Sequence, residues 1–212
     1  FFAGLPWRII VIGLTIFLVF LLSLFIFGDK FCAENIAWPG LREYQKLRIC
    51  TLLDPMRDPL GAGFHTLQSI TAVGSGGLIG KGWLQGTQTQ LAFIPERSTD
   101  FVFSGYAEEF GFFGSLLLIL LYAGITLRGL WISIGAPTDF ARLLGGTLSM
   151  MTFTYAFVNI GMVTGVLPVV GVPLPWMSYG GTALITLGVG VGLLMSIGKD
   201  RSETTQGFSL QK

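Results

Sequence analysis

Ionisable side chains are scarce in this chain, so each one that interrupts an apolar run is a candidate for chemistry. Asp100 stands where a long charge-bearing segment meets the apolar stretch Phe101-Val102-Phe103. A carboxylate held there, at a membrane interface, can take a proton from an attacking hydroxyl. The simpler reading of the same position makes Thr99 or Asp100 the N-cap of the helix that follows. If helical geometry runs on from Asp100, Glu108 lies about 80° round the axis and ~12 Å deeper, with Glu109 on the opposite side. Carboxylates at such depth are functional candidates by default, or are paired with a cation. The run from Gly74 to Gly82 departs from the phosphate-loop pattern, with Ser75 where its first Gly belongs and Gly82 where its Ser or Thr belongs. That excludes a nucleotide site and leaves two readings: backbone N–H groups that cradle a pyrophosphate beside Lys81, or a solvated flexible loop. His65 is the one histidine, so no zinc cluster, no Ser/His/Asp arrangement of the usual kind and no histidine relay is expected, and it reads as a polar residue on a surface helix. Cys32 and Cys50 could pair in an oxidising compartment.

The elements that must position these groups are helices. No charge falls among the 19 residues Ile9–Phe27, the 18 residues Phe110–Leu127, or the 56 residues between Arg142 and Lys199. Pro168, Pro173 and Pro175 divide the last run, because a proline removes a helix donor and clashes with the preceding turn. Four spanning helices are therefore expected, over 9–27, 100–130, 143–166 and 177–197. Arg128 and Arg142 flank the short loop 131–142, while the Pro-rich loop 167–176 carries no charge. By the positive-inside rule, that short loop and the tail 198–212 are cytoplasmic, and residues 28–99 and 167–176 are external. The seven Lys and Arg within 28–99 do not oppose this, since loops beyond about 60 residues translocate largely regardless of charge. Within that loop, Phe64, Leu67, Ile70 and Val73 recur at three-residue intervals and predict a short helix lying on the membrane surface. Gly161 with Gly165, and Gly188 with Gly192, have the spacing of close helix approach, and Asn159 is expected to bond a neighbouring helix.

Composition agrees with an all-α integral membrane protein. Of the 212 residues 51% are hydrophobic and 12% charged, with a mean hydropathy of +0.69. A soluble domain carries about 25% charged residues. A net charge of +1 without a basic stripe excludes nucleic-acid binding, and the lack of long alternating patterns excludes an outer-membrane barrel.

Several strings then act as a set. They are Tyr44-Gln45-Lys46-Leu47-Arg48, Asp58-Pro59-Leu60-Gly61-Ala62-Gly63, Gly80-Lys81-Gly82-Trp83, Gly86-Thr87-Gln88-Thr89-Gln90-Leu91 and Ile94-Pro95-Glu96-Arg97. To these belong Thr99-Asp100-Phe101, Ala107-Glu108-Glu109-Phe110-Gly111, Asn159-Ile160-Gly161 and Leu167 through Gly181. Together they resemble the SEDS family over nearly the whole chain, and its elongation-type member more than its division-type member. The resemblance implies the C-terminal four helices of a ten-helix membrane fold. It implies a peptidoglycan glycosyltransferase of the bacterial cytoplasmic (inner) membrane that polymerises lipid II, with undecaprenyl-pyrophosphate-linked glycan as donor and a class B penicillin-binding protein as partner. The family's essential acid is the Asp of Thr-Asp-Phe, Asp100 here, as general base of an inverting transfer. Ser98 stands where the family usually has His, which removes a hydrogen-bond partner but keeps the carboxylate. For substrate binding, the candidates are Lys81, Arg48, Arg97, Gln88 and Glu108. A divalent cation, Mg or Mn, could assist the leaving pyrophosphate, though no dedicated metal cage is visible. The partner's single transmembrane helix is expected on the outer surfaces of the second and third spans, near Gly124 and Gly145. A competing reading is a transporter that moves the lipid-linked precursor across the bilayer.

Overall fold

The computed structural model describes residues 6–32, 42–54, 56, 62–87 and 98–209. Among them every regular element is helical: α1 (Trp7–Phe31), α2 (Glu43–Leu53), α3 (Ala62–Ser75), α4 (Val102–Ile134), α5 (Asp139–Val163) and α6 (Gly181–Ser209). Three stretches among the described residues are long and apolar enough to cross a membrane: α4, α5 and Gly181–Lys199 within α6. The fourth long helix, α1, has 25 residues, with an apolar Trp7–Ile16 portion. Large side chains such as Phe113, Leu117, Leu120 and Ile185 are exposed, as a lipid-facing surface requires.

Helix ends fall where capping chemistry places them rather than where charges stop. The Thr138 hydroxyl accepts the Ala141 N–H, so α5 starts at Asp139, four residues before the expected 143. Gly135 is the C-cap of α4, which continues past Arg128 to Ile134.

Small residues let α4 and α5 approach closely. A Cβ on Gly129 would collide with Ser149 Oγ, and one on Gly145 with Ser133 Oγ. Both hydroxyls turn back onto their own helices, Ser133 onto the Gly129 carbonyl at 2.7 Å and Ser149 onto that of Gly145 at 2.8 Å. Gly145 thus lies inside the chain's own bundle, against Leu194 of α6 as well, and does not belong to an outer docking surface; Gly124 faces open space. Gly188 and Gly192 also face open space. The inward stripe of α6 is Leu187, Gly190, Leu194 and Ile197, which helical periodicity puts on one face.

The short helix α3 packs on the bundle through its small residues. Its small residues Gly63, Thr66, Ser69 and Ala72 are buried, whereas Ile70 is exposed and Phe64, Leu67 and Val73 half-exposed. The Ser69 hydroxyl donates to the Val163 carbonyl at 3.0 Å, which fixes α3 to the end of α5. Side-chain size decides this, because backbone-to-backbone packing leaves room for Ser and Ala but not Leu. A disulfide joins Cys32, at the end of α1, to Cys50 in α2. The buried core, including Ala72, Phe101, Phe103, Tyr122, Met162 and Leu174, gathers at this same end of the bundle.

Candidate active site

Two structures meet at that end: a helix broken by a loop, and a proline-rich strap over a carboxylate. The break is at Gly111, whose φ of 66° and ψ of −161° interrupt α4. Residues 77–82 fill it. Phe112 and Phe113 donate their N–H groups to the carbonyls of Gly77 and Leu78 at 2.9 and 3.2 Å. In return, Lys81 and Gly82 donate to the carbonyls of Glu108 and Glu109 at 3.1 and 3.0 Å. The loop supplies what the interrupted helix cannot, which is the condition for non-helical backbone at membrane depth. Glycine is required for the approach, since a Cβ at Gly76, Gly80 or Gly111 would strike the backbone of Ala107, Glu109 or Gly80 respectively.

The glycine run is therefore neither a flexible loop nor a free amide cradle. The amides of Gly80, Lys81 and Gly82 already donate to protein carbonyls and are not available to a pyrophosphate. Lys81 and Glu108 are brought together, with Nζ 2.7 Å from Oε1. Glu108 is fully buried, and the Thr87 hydroxyl completes the cluster, 2.8 Å from Lys81 Nζ and 3.2 Å from Glu108 Oε1. Here the geometry is that of a buried ion pair locking a loop to a helix. Thr87 carried no sequence signal for this role beyond its place in the Gly-Thr-Gln string.

Asp100 lies in the turn 98–101, outside α4. The N-cap of that helix is Phe101, without a side-chain capping bond, so the capping reading of Thr99 or Asp100 does not hold. Instead the turn is held by its backbone. Asn159 Nδ2 donates to the Asp100 carbonyl at 2.7 Å and to the Val172 carbonyl at 2.6 Å, and the Tyr179 N–H donates to the Ser98 carbonyl at 2.8 Å. The strap 164–180 is pinned further by the Tyr122 hydroxyl on the Pro175 carbonyl at 2.6 Å and by Ser178 Oγ, which accepts the Leu174 N–H at 2.7 Å. A Cβ on Gly171 would stand 3.1 Å from Asp100 Oδ2, and φ there is +81°, so the strap passes directly over the carboxylate with glycine at the crossing. Asn159 does bond outside its own helix, but to the turn and the strap.

Arg48 reaches the same strap from α2, its Nη1 lying 3.4 Å from the Val170 carbonyl. Between them is a cleft of about 150 Å³ lined by Arg48, Thr51, His65, Thr66 and the strap residues Leu167 to Val169. His65 stacks on Phe101, the residue after Asp100, with ring centroids 6.0 Å apart. The histidine is thus part of the cleft's wall. Its aromatic partner is 36 residues away in sequence, and no local pattern marks the pairing. Arg97 and Gln88 lie outside the described residues. Among the described residues no three His, Cys, Asp or Glu side chains converge as a metal site needs.

A family model described as a cell cycle protein, FtsW/RodA/SpoVE, matches residues 1–203 of this chain. The peptidoglycan glycosyltransferase MrdB of Escherichia coli (strain K12) is 51% identical over 197 residues, covering 93% of this chain and 50% of that protein. The peptidoglycan glycosyltransferase RodA of Treponema pallidum (strain Nichols) is 43% identical over 158 residues, covering 74% of this chain and 36% of its own length. A solved structure on the structural coordination of polymerization and crosslinking by a peptidoglycan synthase complex contains a chain 34% identical to this one. The two superpose with a TM-score of 0.67, over 93% of this chain and 51% of that one. The chain spans half or less of the length of these relatives.

Proposed function

This chain belongs to the FtsW/RodA/SpoVE family, the SEDS proteins its motifs resemble, and we propose that it forms part of an elongation-type peptidoglycan glycosyltransferase that polymerises lipid II. The observation that carries the reading is the mounting of Asp100: a carboxylate not spent on capping, in a turn fixed by Asn159 and Tyr179 beneath an uncharged strap. Such preorganisation suits a general base, which must meet its proton donor without rearranging. The 4-hydroxyl of the lipid II GlcNAc attacks the anomeric carbon of the donor glycan, and Asp100 takes the hydroxyl proton. A β-1,4 bond forms as the bond from that carbon to the pyrophosphate oxygen breaks, and undecaprenyl pyrophosphate leaves with the electron pair. A divalent cation, Mg or Mn, would add positive charge for the leaving pyrophosphate; among the described residues no cluster of three His, Cys, Asp or Glu side chains would hold it.

Residues 28–99 and the strap face the exterior in this reading. The Cys32–Cys50 disulfide supports it, because disulfides persist in oxidising compartments. A class B penicillin-binding protein is the proposed partner, and the similar chain from a synthase complex favours an assembly of that kind. Precursor transport is less well supported, since a translocation path wants accessible charge near the midplane and Glu108 is committed to Lys81.

The test is polymerisation of labelled lipid II by the whole protein with its partner, comparing wild type with Asp100→Asn at equal membrane abundance. Loss of the base lowers the rate by roughly 10² to 10⁴-fold. Near-wild-type polymerisation in the Asn variant would refute the assignment.

A further inference from the structure

We propose that His65 and Arg48 form an oxyanion site for the phosphate groups of a lipid-linked ligand, in the cleft beside Asp100; the identity of the ligand rests on the glycosyltransferase reading, the site itself does not. Two polar groups there have unmet capacity. His65 Nδ1 is buried without a hydrogen-bond partner, although its ring is fixed by stacking on Phe101. Buried polar atoms are nearly always paired, so this ring, which forms part of the cleft lining, has a hydrogen-bonding demand that the described residues leave unmet. Among the described residues no carboxylate pairs with Arg48, whose guanidinium makes only a long bond of 3.4 Å to the Val170 carbonyl. An arginine fork matches phosphate oxygens in pairs, and imidazole supplies a further donor.

The surroundings favour an anion. Thr66 adds a hydroxyl-bearing side chain to the same cleft, and among the described residues no acidic side chain lines it. His65 is also in the first turn of α3, where the helix dipole attracts negative charge. The strap side of the lining is Leu167, Pro168 and Val169, an apolar surface. A phosphate carried on a lipid matches both walls at once. Along the strap, Val170 bonds Arg48 and Gly171 lies over the Asp100 carboxylate, so a pyrophosphate in the cleft has its sugar linkage within reach of the base.

Binding to the whole protein in nanodiscs tests this, with undecaprenyl pyrophosphate and inorganic pyrophosphate as probes, for wild type, His65→Gln, His65→Leu and Arg48→Met. The lipid probe should bind wild type, lose about tenfold to a hundredfold in affinity with His65→Leu and Arg48→Met, and keep most of it with His65→Gln, which retains a donor. Binding of the lipid probe alone assigns the site to a headgroup with its tail; equal binding of inorganic pyrophosphate assigns it to the oxyanion only. Both support the site. In turnover, the same variants should raise KM for the lipid substrate more than they lower kcat. Wild-type affinity in both His65→Leu and Arg48→Met overturns the proposal, as does loss of affinity in Gln equal to that in Leu. Should the wild type bind pyrophosphate through His65 yet fail to polymerise lipid II, the proposed function falls and this site stands.

Discussion

The two ends of α3 treat their polar groups in opposite ways. After its last turn, residues 77–82 enter the break in α4, where the exposed N–H and carbonyl groups of both segments find partners, and Lys81 closes onto a fully buried Glu108. In its first turn, His65 keeps an unpartnered nitrogen on a cleft wall, near an arginine held by one long contact. Satisfied networks rigidify, and unsatisfied ones are retained where something else completes them. Fold and function are thus separated along fourteen residues of one helix: the glycine-rich end builds the scaffold, and the histidine end faces the ligand.

The strongest way to break that contrast is at the ion pair. Lys81→Met removes the cation 2.7 Å from a fully buried carboxylate, and about 3–5 kcal/mol of stability should go with it. Thermal unfolding in detergent should show the drop, and Lys81→Met with Glu108→Gln should recover most of it. A single variant as stable as wild type would move Lys81 from scaffold to ligand. Next comes Gly80→Ala, which drives a Cβ into the Glu109 carbonyl at a φ of +88° and should cost roughly 1–3 kcal/mol, by the same assay. Gly74→Ala, six residues earlier with open space around it, should be neutral or stabilising by about 0.5 kcal/mol. Equal effects at the two glycines would contradict the docking of the loop. Asn159→Ala frees the Asp100 and Val172 carbonyls and should cost roughly 1–3 kcal/mol for the pair. Here the informative result is a kcat that falls further than stability does, as displacement of Asp100 would require.

Legibility follows the range of the interaction. Charge-free runs and prolines announce helices and the strap because burial and missing donors act locally. The helix ends shift by a few residues, since Thr138 and Gly135 act through single capping geometries. Gly111 gave no sign of a break, because a glycine inside an apolar helix is also what close packing looks like. Whether it bends depends on a loop thirty residues earlier. Lys81, Glu108, Arg48 and Asp100 are legible as candidates in the sequence, but charge types alone do not divide them between an ion pair and a site. His65 alone marks no metal cluster and no histidine relay, and its stacking on Phe101 is created only by the fold.

The filled break in α4 also bears on how the chain is made. Synthesis proceeds from the N-terminus, so residues 77–82 exist before residues 108–113 leave the ribosome. The segment that will occupy the gap is waiting when the gap arrives, and the unpaired carbonyls of Glu108 and Glu109 need never be handed bare to hydrocarbon. A rearranged chain with α4 translated ahead of the glycine run would have the same contacts to make, but in the costly order. It should be targeted by membrane proteases while the natural order escapes them.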